Sequence, residues 1–185
     1  GQPASADNTG FGLSARGGGV FLFNAAARGG NLIDAVRYGL QTPGFSIGRL
    51  PAGTGVWNLA VPTPGAANEA AGLASISALR INEWMSNPAG GSDWLELHNR
   101  ADQPVALGGL CLTDDLADRT RSPVAPLSFV GAGGNGFVRF IADGDRGAGA
   151  DHVAFSLSKG GEDLGLFSAS GMMLDGLTFS AQLEG

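Results

Sequence analysis

The sequence predicts an all-β protein, a sandwich or barrel of short antiparallel strands. Short apolar runs of period two recur along the chain, each bounded by Gly, Asn, Asp or Pro. Apolar residues at three-and-four spacing hardly ever persist for ten positions without a Gly or Pro, so helices are scarce. Glycine supplies 32 of 185 residues with no period of three, which fits turns and excludes collagen. Many short strands at near-regular spacing, divided by turn residues, favour packed antiparallel sheets.

The elements follow in order. Val20 and Leu22 mark a strand at 19–24, and Leu32 to Tyr38 one at 32–39. Trp57 and Leu59 place the next at 56–60; Pro62 and Pro64 cannot donate to a ladder and end it. Residues 67–78 read two ways, as a helix capped by Asn68 or as an Ala/Ser/Gly linker. Leu79 and Ile81 open a strand at 79–85, and Trp94, Leu95 and Leu97 one at 93–98, where Trp94 alternates with its neighbours to bury one face. Val105, Leu107, Leu110 and Leu112 read as a strand at 105–112, and Val138 with Phe140 as one at 137–142. Val153, Phe155 and Leu157 (152–157), Leu164 and Leu166 (162–167), and Leu174, Leu177 and Phe179 (173–179) complete the set. Asn99–Gln103 and Ala142–Asp151 are polar turn sequences. The expected core is Ile81, Trp94, Leu97, Leu112, Phe140, Phe155, Leu166 and Phe179.

Composition narrows the function. A chain with 43% hydrophobic residues and this length buries roughly 70% of its unfolded surface, enough for a core without metals or crosslinks. A net charge of −6 gives no basic field to draw in phosphate, so nucleic acid is not expected as a partner. No apolar run approaches the ~20 residues of a membrane-spanning helix. The lone Cys111 excludes an internal disulfide and a cysteine-rich zinc site. A chain beginning at Gly1 reads as a processed product or a fragment, with any targeting segment already gone.

The chain also carries an internal repeat. Phe11–Ser14, a glycine cluster and Val20–Asn24 align with Phe155–Ser158, Gly160–Gly161 and Leu164–Ser168. After a three-residue gap, Ile33–Tyr38 aligns with Leu174–Phe179, and Gln41 and Gly44 with Gln182 and Gly185. The organisation read from it is the back part of one unit at 1–68, a junction at 69–78, and a second unit at 79–185 lacking the closing segment that the first carries.

The second unit resembles the bacterial lamin-tail domain, an immunoglobulin-like β-sandwich. The resemblance is carried by Ile81–Asn87, Asp93–Asn99, Val105–Asp115, Phe137–Asp143 and Phe155–Phe167. The family's closing signature stands only in the first unit, as Gly48–Gly55, Trp57 and Pro62–Asn68. Cys111 departs from the aromatic often found there. The resemblance implies an extracellular or cell-surface location and structural, not catalytic, acids at Glu83 and Glu96.

Candidate sites compete with plainer explanations. Glu83 and Glu96 fall on neighbouring strands if 81–96 is a hairpin; paired carboxylates serve acid/base work or a cation, or bond Arg and backbone groups at the surface. Asp114, Asp115 and Asp118 share one loop, and Asp143, Asp145 and Asp151 another. Hard oxygens in such loops suit Ca²⁺, with Asp114, Asp115, Asp143 and Asp145 as the candidate ligands, although EF-hand spacing is lacking and Asp favours turns for its own reasons. Cys111 beside His98 or His152 would be a thiol pair, but between Leu110 and Leu112 it reads as a core thiol. The glycines of 131–136 and 17–19 read as hairpin loops rather than phosphate cradles, since no Lys-Ser/Thr and no helix follows. No catalytic constellation emerges, and no cofactor other than Ca²⁺ is indicated.

The resulting expectation is a non-enzymatic extracellular structural or interaction module whose partner is protein: other copies of itself or the rest of a longer surface protein. Strand exchange is one form of it: residues 45–68, with Arg49, Trp57, Leu59, Pro62, Pro64 and Asn68, complete the 79–185 unit of the next molecule. Within one chain, 9–68 would instead fold back on 79–154. Either way one copy of the duplicated hairpin is left over. The alternative function is a metal-dependent hydrolase-associated domain with a Ca²⁺-binding Asp loop.

Overall fold

The structure, a computed structural model, describes residue 5 and residues 9–183 and is all-β. Gly185, the last position of the repeat alignment, lies outside the described residues. Fourteen strands form: β1 (Gly18–Phe23), β2 (Leu32–Tyr38), β3 (Ser46–Leu50), β4 (Val56–Val61), β5 (Glu69–Ala70), β6 (Leu79–Met85), β7 (Asp93–Asn99), β8 (Val105–Ala106), β9 (Cys111–Thr113), β10 (Ser122–Pro123), β11 (Phe129–Val130), β12 (Phe137–Ala142), β13 (Gly161–Phe167) and β14 (Met173–Ser180). Every strand pairing is antiparallel. Among the described residues no helix is long and apolar enough to cross a membrane.

Residues 79–183 make a sandwich. One sheet has the order β12-β7-β6 and the other β10-β9-β13-β14, with the short β8–β11 pair at one side. Their inward residues meet in a single core: Leu79 and Ile81 of β6, Leu95 and Leu97 of β7, and Phe140 of β12 face Leu112 of β9, Leu164 and Leu166 of β13, and Phe179 of β14. The sheets also meet where β6 approaches β14. There Asp175 Oδ2 accepts from Ile81 N at 2.9 Å, and the Trp84 and Phe179 rings lie 5.4 Å apart. Asn82 is bulged out of the β6–β7 ladder, and the neighbouring Ile81 N–H takes its partner from β14.

Two features differ from the sequence expectation in a way the pattern explains. Val105–Leu112 is not one strand: β8 ends, a turn follows with Leu110 N donating to Leu107 O, and β9 starts in the other sheet. The apolar spacing is two from 105 to 107, then three, then two, and that lost step is the crossing. Gly109, at φ +83°, supplies the left-handed residue that the turn requires. Residues 152–157 keep the expected alternation, with Val153, Phe155 and Leu157 buried, but form only isolated bridges. Their amides bond partly to side chains instead, Ala154 N to Ser122 Oγ and Leu157 N to Asp93 Oδ2.

Trp94 is a correction. It is only half-buried, whereas Leu95 and the expected Leu97 are fully enclosed, so Trp94 lies on the other, outer face of β7 between Met85 and Ile141. The other seven expected core residues are buried. Asn68 is not a helix cap either: its Nδ2 donates to Arg49 O, and 69–78 runs as β5, an extended stretch and one 3₁₀ turn capped by Ser75.

The first 72 residues contribute the β1–β2 hairpin and the β3-β4-β5 sheet. They join the sandwich along β11. Gly39 N donates to Pro126 O (2.9 Å), Leu40 N to Ser128 Oγ (3.0 Å), and Phe129 N to Leu40 O (2.8 Å), which places Leu40 in the core of 79–183. A Cβ at Gly39 would overlap Ser128 Oγ, so only glycine allows this approach.

Leu95→Ala, deleting a fully enclosed side chain, costs about 2–5 kcal/mol in urea-denaturation stability. Trp94→Ala costs less than Leu95→Ala despite removing a larger side chain. The reverse order would return Trp94 to the core.

Candidate functional site

The hairpins of the aligned segments share one geometry. In β1–β2, Val20 stands opposite Val36, Phe21 opposite Ala35 and Leu22 opposite Asp34; then the ladder slips and Phe23 meets Leu32. In β13–β14, Leu164 stands opposite Leu177, Gly165 opposite Gly176 and Leu166 opposite Asp175; the ladder slips at the same place and Phe167 meets Met173. Each aligned residue has the aligned partner, and the bulge coincides.

Their surroundings are opposite. Phe155, Leu157, Leu166 and Phe167 are at most 5% exposed, whereas the aligned Phe11, Leu13, Leu22 and Phe23 are 61%, 65%, 57% and 55% exposed. The second set is covered because β9 pairs along the β13 edge, with Thr113 opposite Gly165, Leu112 opposite Leu166 and Cys111 opposite Phe167, and because β6, β7 and β12 close the core face. Among the described residues the β1 edge has no such strand. The β1–β2 hairpin is covered in part by β3–β4, leaving a cleft of about 500 Å³ lined by Leu13, Val20, Val36, Phe45, Ile47 and Trp57. Asp34, aligned with Asp175, bonds Arg49 Nη2 at 2.7 Å instead of a backbone amide.

The closing segment of the first unit is engaged within its own chain. Arg49 also lies over the Trp57 ring, 4.4 Å from its centre, and donates to Gly55 O. Leu59 is buried, Trp57 lines a cleft shared with Pro126 and Phe129, and Pro62 and Pro64 sit in the exposed turn between β4 and β5. The neighbours of β14 are β13 along its ladder and β6 at its other side, not residues 45–68.

The acids bond locally. Arg121 Nε lies 3.0 Å from Asp114 Oδ1, an ion contact without hydrogen-bond alignment, and Asp115 Oδ1 accepts from Ala117 N. Asp143 accepts from Asp145 N and lies 2.8 Å from His152 Nδ1; Asp145 accepts from Gly147 N. The Asp145 amide, more than the imidazole, holds the Asp143 carboxyl below the ordinary carboxylate range. Asp115, Asp143 and Asp145 therefore cap turns and Asp114 pairs with Arg121, and among the described residues no three His, Cys, Asp or Glu side chains are gathered around a common point. Glu83 and Glu96 do stand opposite each other on β6 and β7, where Asn82 Nδ2 donates to Glu96 Oε1. Burial raises the Cys111 thiol pKa, so it stays protonated, and His98 stacks on Phe137 at 4.3 Å. The glycines of 131–136 form the loop from β11 to β12 through a 3₁₀ turn.

Three arginines, Arg16, Arg37 and Arg146, line a second cleft of about 500 Å³ with Tyr38 and His152. Sequence reasoning missed it because the arginines are far apart in the chain. Arg16 pairs with Asp151 at 3.5 Å, Arg146 bonds Pro123 O, and Arg37 lies over the Phe21 ring.

Against protein-family models, curated proteins and solved structures alike, the chain gives no match.

Burial raises the carboxyl pKa of Asp93, Asp114 and Glu162. For an acid whose folded pKa lies above its unfolded one, the native state holds the proton more tightly. Its contribution is fully present below the unfolded pKa and is lost as pH rises through the folded one. Thermal stability should thus fall as pH rises from the ordinary carboxylate range through the raised values. Asp93→Asn, which keeps an oxygen for Leu157 N, should flatten that slope and leave stability at neutral pH unchanged or higher; a clear loss at neutral pH would mean that the charge itself is needed.

Proposed function

We propose that this chain is a non-catalytic, extracellular or cell-surface structural module of the lamin-tail-like, immunoglobulin-like class. It joins the 79–183 sandwich to a second hairpin of the same register, and it associates with further copies of itself through that open hairpin. One observation carries the reading: two hairpins with the same register and the same bulge, one enclosed and one open. A two-stranded hairpin is marginal in water on its own and is normally covered by further strands or packed elements. An apolar hairpin left open is a surface for another polypeptide. The low charge and the acids spent on turn capping support a structural role over a chemical one.

Amide hydrogen exchange at low and high protein concentration tests it. Protection in β1–β2 should start well below that in β13–β14 and rise with concentration, while β13–β14 stays constant. Exchange independent of concentration in both hairpins, with light scattering of a monomer throughout, would overturn self-association.

A further inference from the structure

The arginine-lined cleft has the opposite sign of charge from the chain that forms it. The chain carries a net charge of −6, yet Arg16, Arg37 and Arg146 line one space, and among the described residues no Asp or Glu does. Asp151, buried, pairs with Arg16, and Asp143 pairs with His152; neither lines the cleft. Of the three guanidinium groups only that of Arg16 has a carboxylate partner among the described residues. A cleft lined by one sign of charge concentrates ligands of the other.

Each arginine is held by a contact that leaves most of its donors uncommitted. Arg37 lies over the Phe21 ring, 5.2 Å from its centre, a contact that spends no N–H group. Arg146 gives one hydrogen bond, to Pro123 O at 2.8 Å. Arg16 stands 3.5 Å from Asp151, longer than a good hydrogen bond. The planar fork of a guanidinium matches the paired oxygens of phosphate, sulfate and carboxylate groups. The two walls are also fixed against each other. Gly17, at φ +102°, approaches the loop after β12 so closely that a Cβ there would stand 2.9 Å from Ala150 Cβ. That approach holds the segment of Arg16 beside the loop that carries Arg146.

Charge and volume together select the ligand. A carboxylate offers one pair of oxygens, which a single guanidinium satisfies, whereas an esterified phosphate or sulfate offers three outward oxygens to several donors. The cleft, at about 500 Å³, is far larger than such a group and falls in the roughly 300–1,000 Å³ range of small-molecule sites. Tyr38, Pro123 and Pro126 supply a wall for an organic body. We infer that this cleft binds a small molecule of sugar size carrying a phosphate or sulfate ester, with the anionic group held among Arg16, Arg37 and Arg146 and the body against Tyr38. The site is a property of the single chain and does not depend on self-association.

Titration of the intact, isotope-labelled chain with glucose 6-phosphate and with glucose 6-sulfate at low salt, followed by amide NMR, tests this. At least one ester should give saturable shifts centred on Gly17–Gly19 and Gly147–Gly149, and the tighter of the two identifies the anion; glucose should give none. Inorganic phosphate should bind roughly ten-fold more weakly than the tighter ester, and equal binding would overturn the sugar-sized ligand. Arg37→Gln and Arg146→Gln, both at exposed positions that do not threaten folding, should each weaken binding roughly ten-fold, the loss of one charge-assisted contact. Arg28→Gln, exposed on the β1–β2 loop and outside the cleft, should change nothing. If neither ester shifts these amides up to roughly 10 mM, or if Arg28→Gln weakens binding as much as the cleft variants, the site is wrong. Either result leaves the structural-module reading to its own test.

Discussion

A β-hairpin has two faces and two edges, and a chain must put something against most of them. That constraint orders this structure. The β13–β14 hairpin meets it fully: β9 along one edge, β6 at the other through Asp175, and the β6–β7–β12 sheet across the apolar face. The β1–β2 hairpin meets it halfway, with β3–β4 near one face and Arg49 holding Asp34. A matching backbone with unmatched cover is the main fact of the molecule, and the functional reading grows from it rather than from any cluster of reactive groups.

Much of the fold was legible because burial on one side of a sheet writes a period of two into the sequence. β6 and β12 run over the residues that alternation marks, and the aligned hairpins stand at the aligned positions. What was not legible follows from the same physics. At β7 the run Trp94-Leu95-Glu96-Leu97 holds apolar residues on both faces at its start, so the large aromatic was placed in the core with Leu97 although the two lie on opposite faces; Leu95, Leu97 and Asn99 mark the buried one. β3 and β10 escaped because short strands containing Gly, Pro or Ser have too few alternations to register, and β11 because two adjacent residues carry no alternation at all. The 152–157 segment kept the pattern without the ladder, since side-chain alternation reports burial and is silent about which group accepts each amide.

The candidate site was legible in a different sense. The repeat could be read from residue types, but the contrast in exposure between its copies is a property of packing, and it depends on where strands far away in the sequence lie. The acids show the converse. Asp114, Asp115, Asp143 and Asp145 look like a ligand set when counted along the chain. In the structure each answers a nearby amide or an arginine, because a short carboxylate in a tight turn reaches its own backbone first.

The junction at Gly39–Leu40 has a mechanical meaning. Only one residue, Gly39, lies between the end of β2 and a leucine sunk in the interior of the 79–183 sandwich, and the amides on both sides of that step are bonded to residues 126–129. The leading hairpin is therefore clamped rather than tethered. A load applied at its free end would be passed straight into the packed body behind it, as through a stiff arm, with no slack linker to take up the strain.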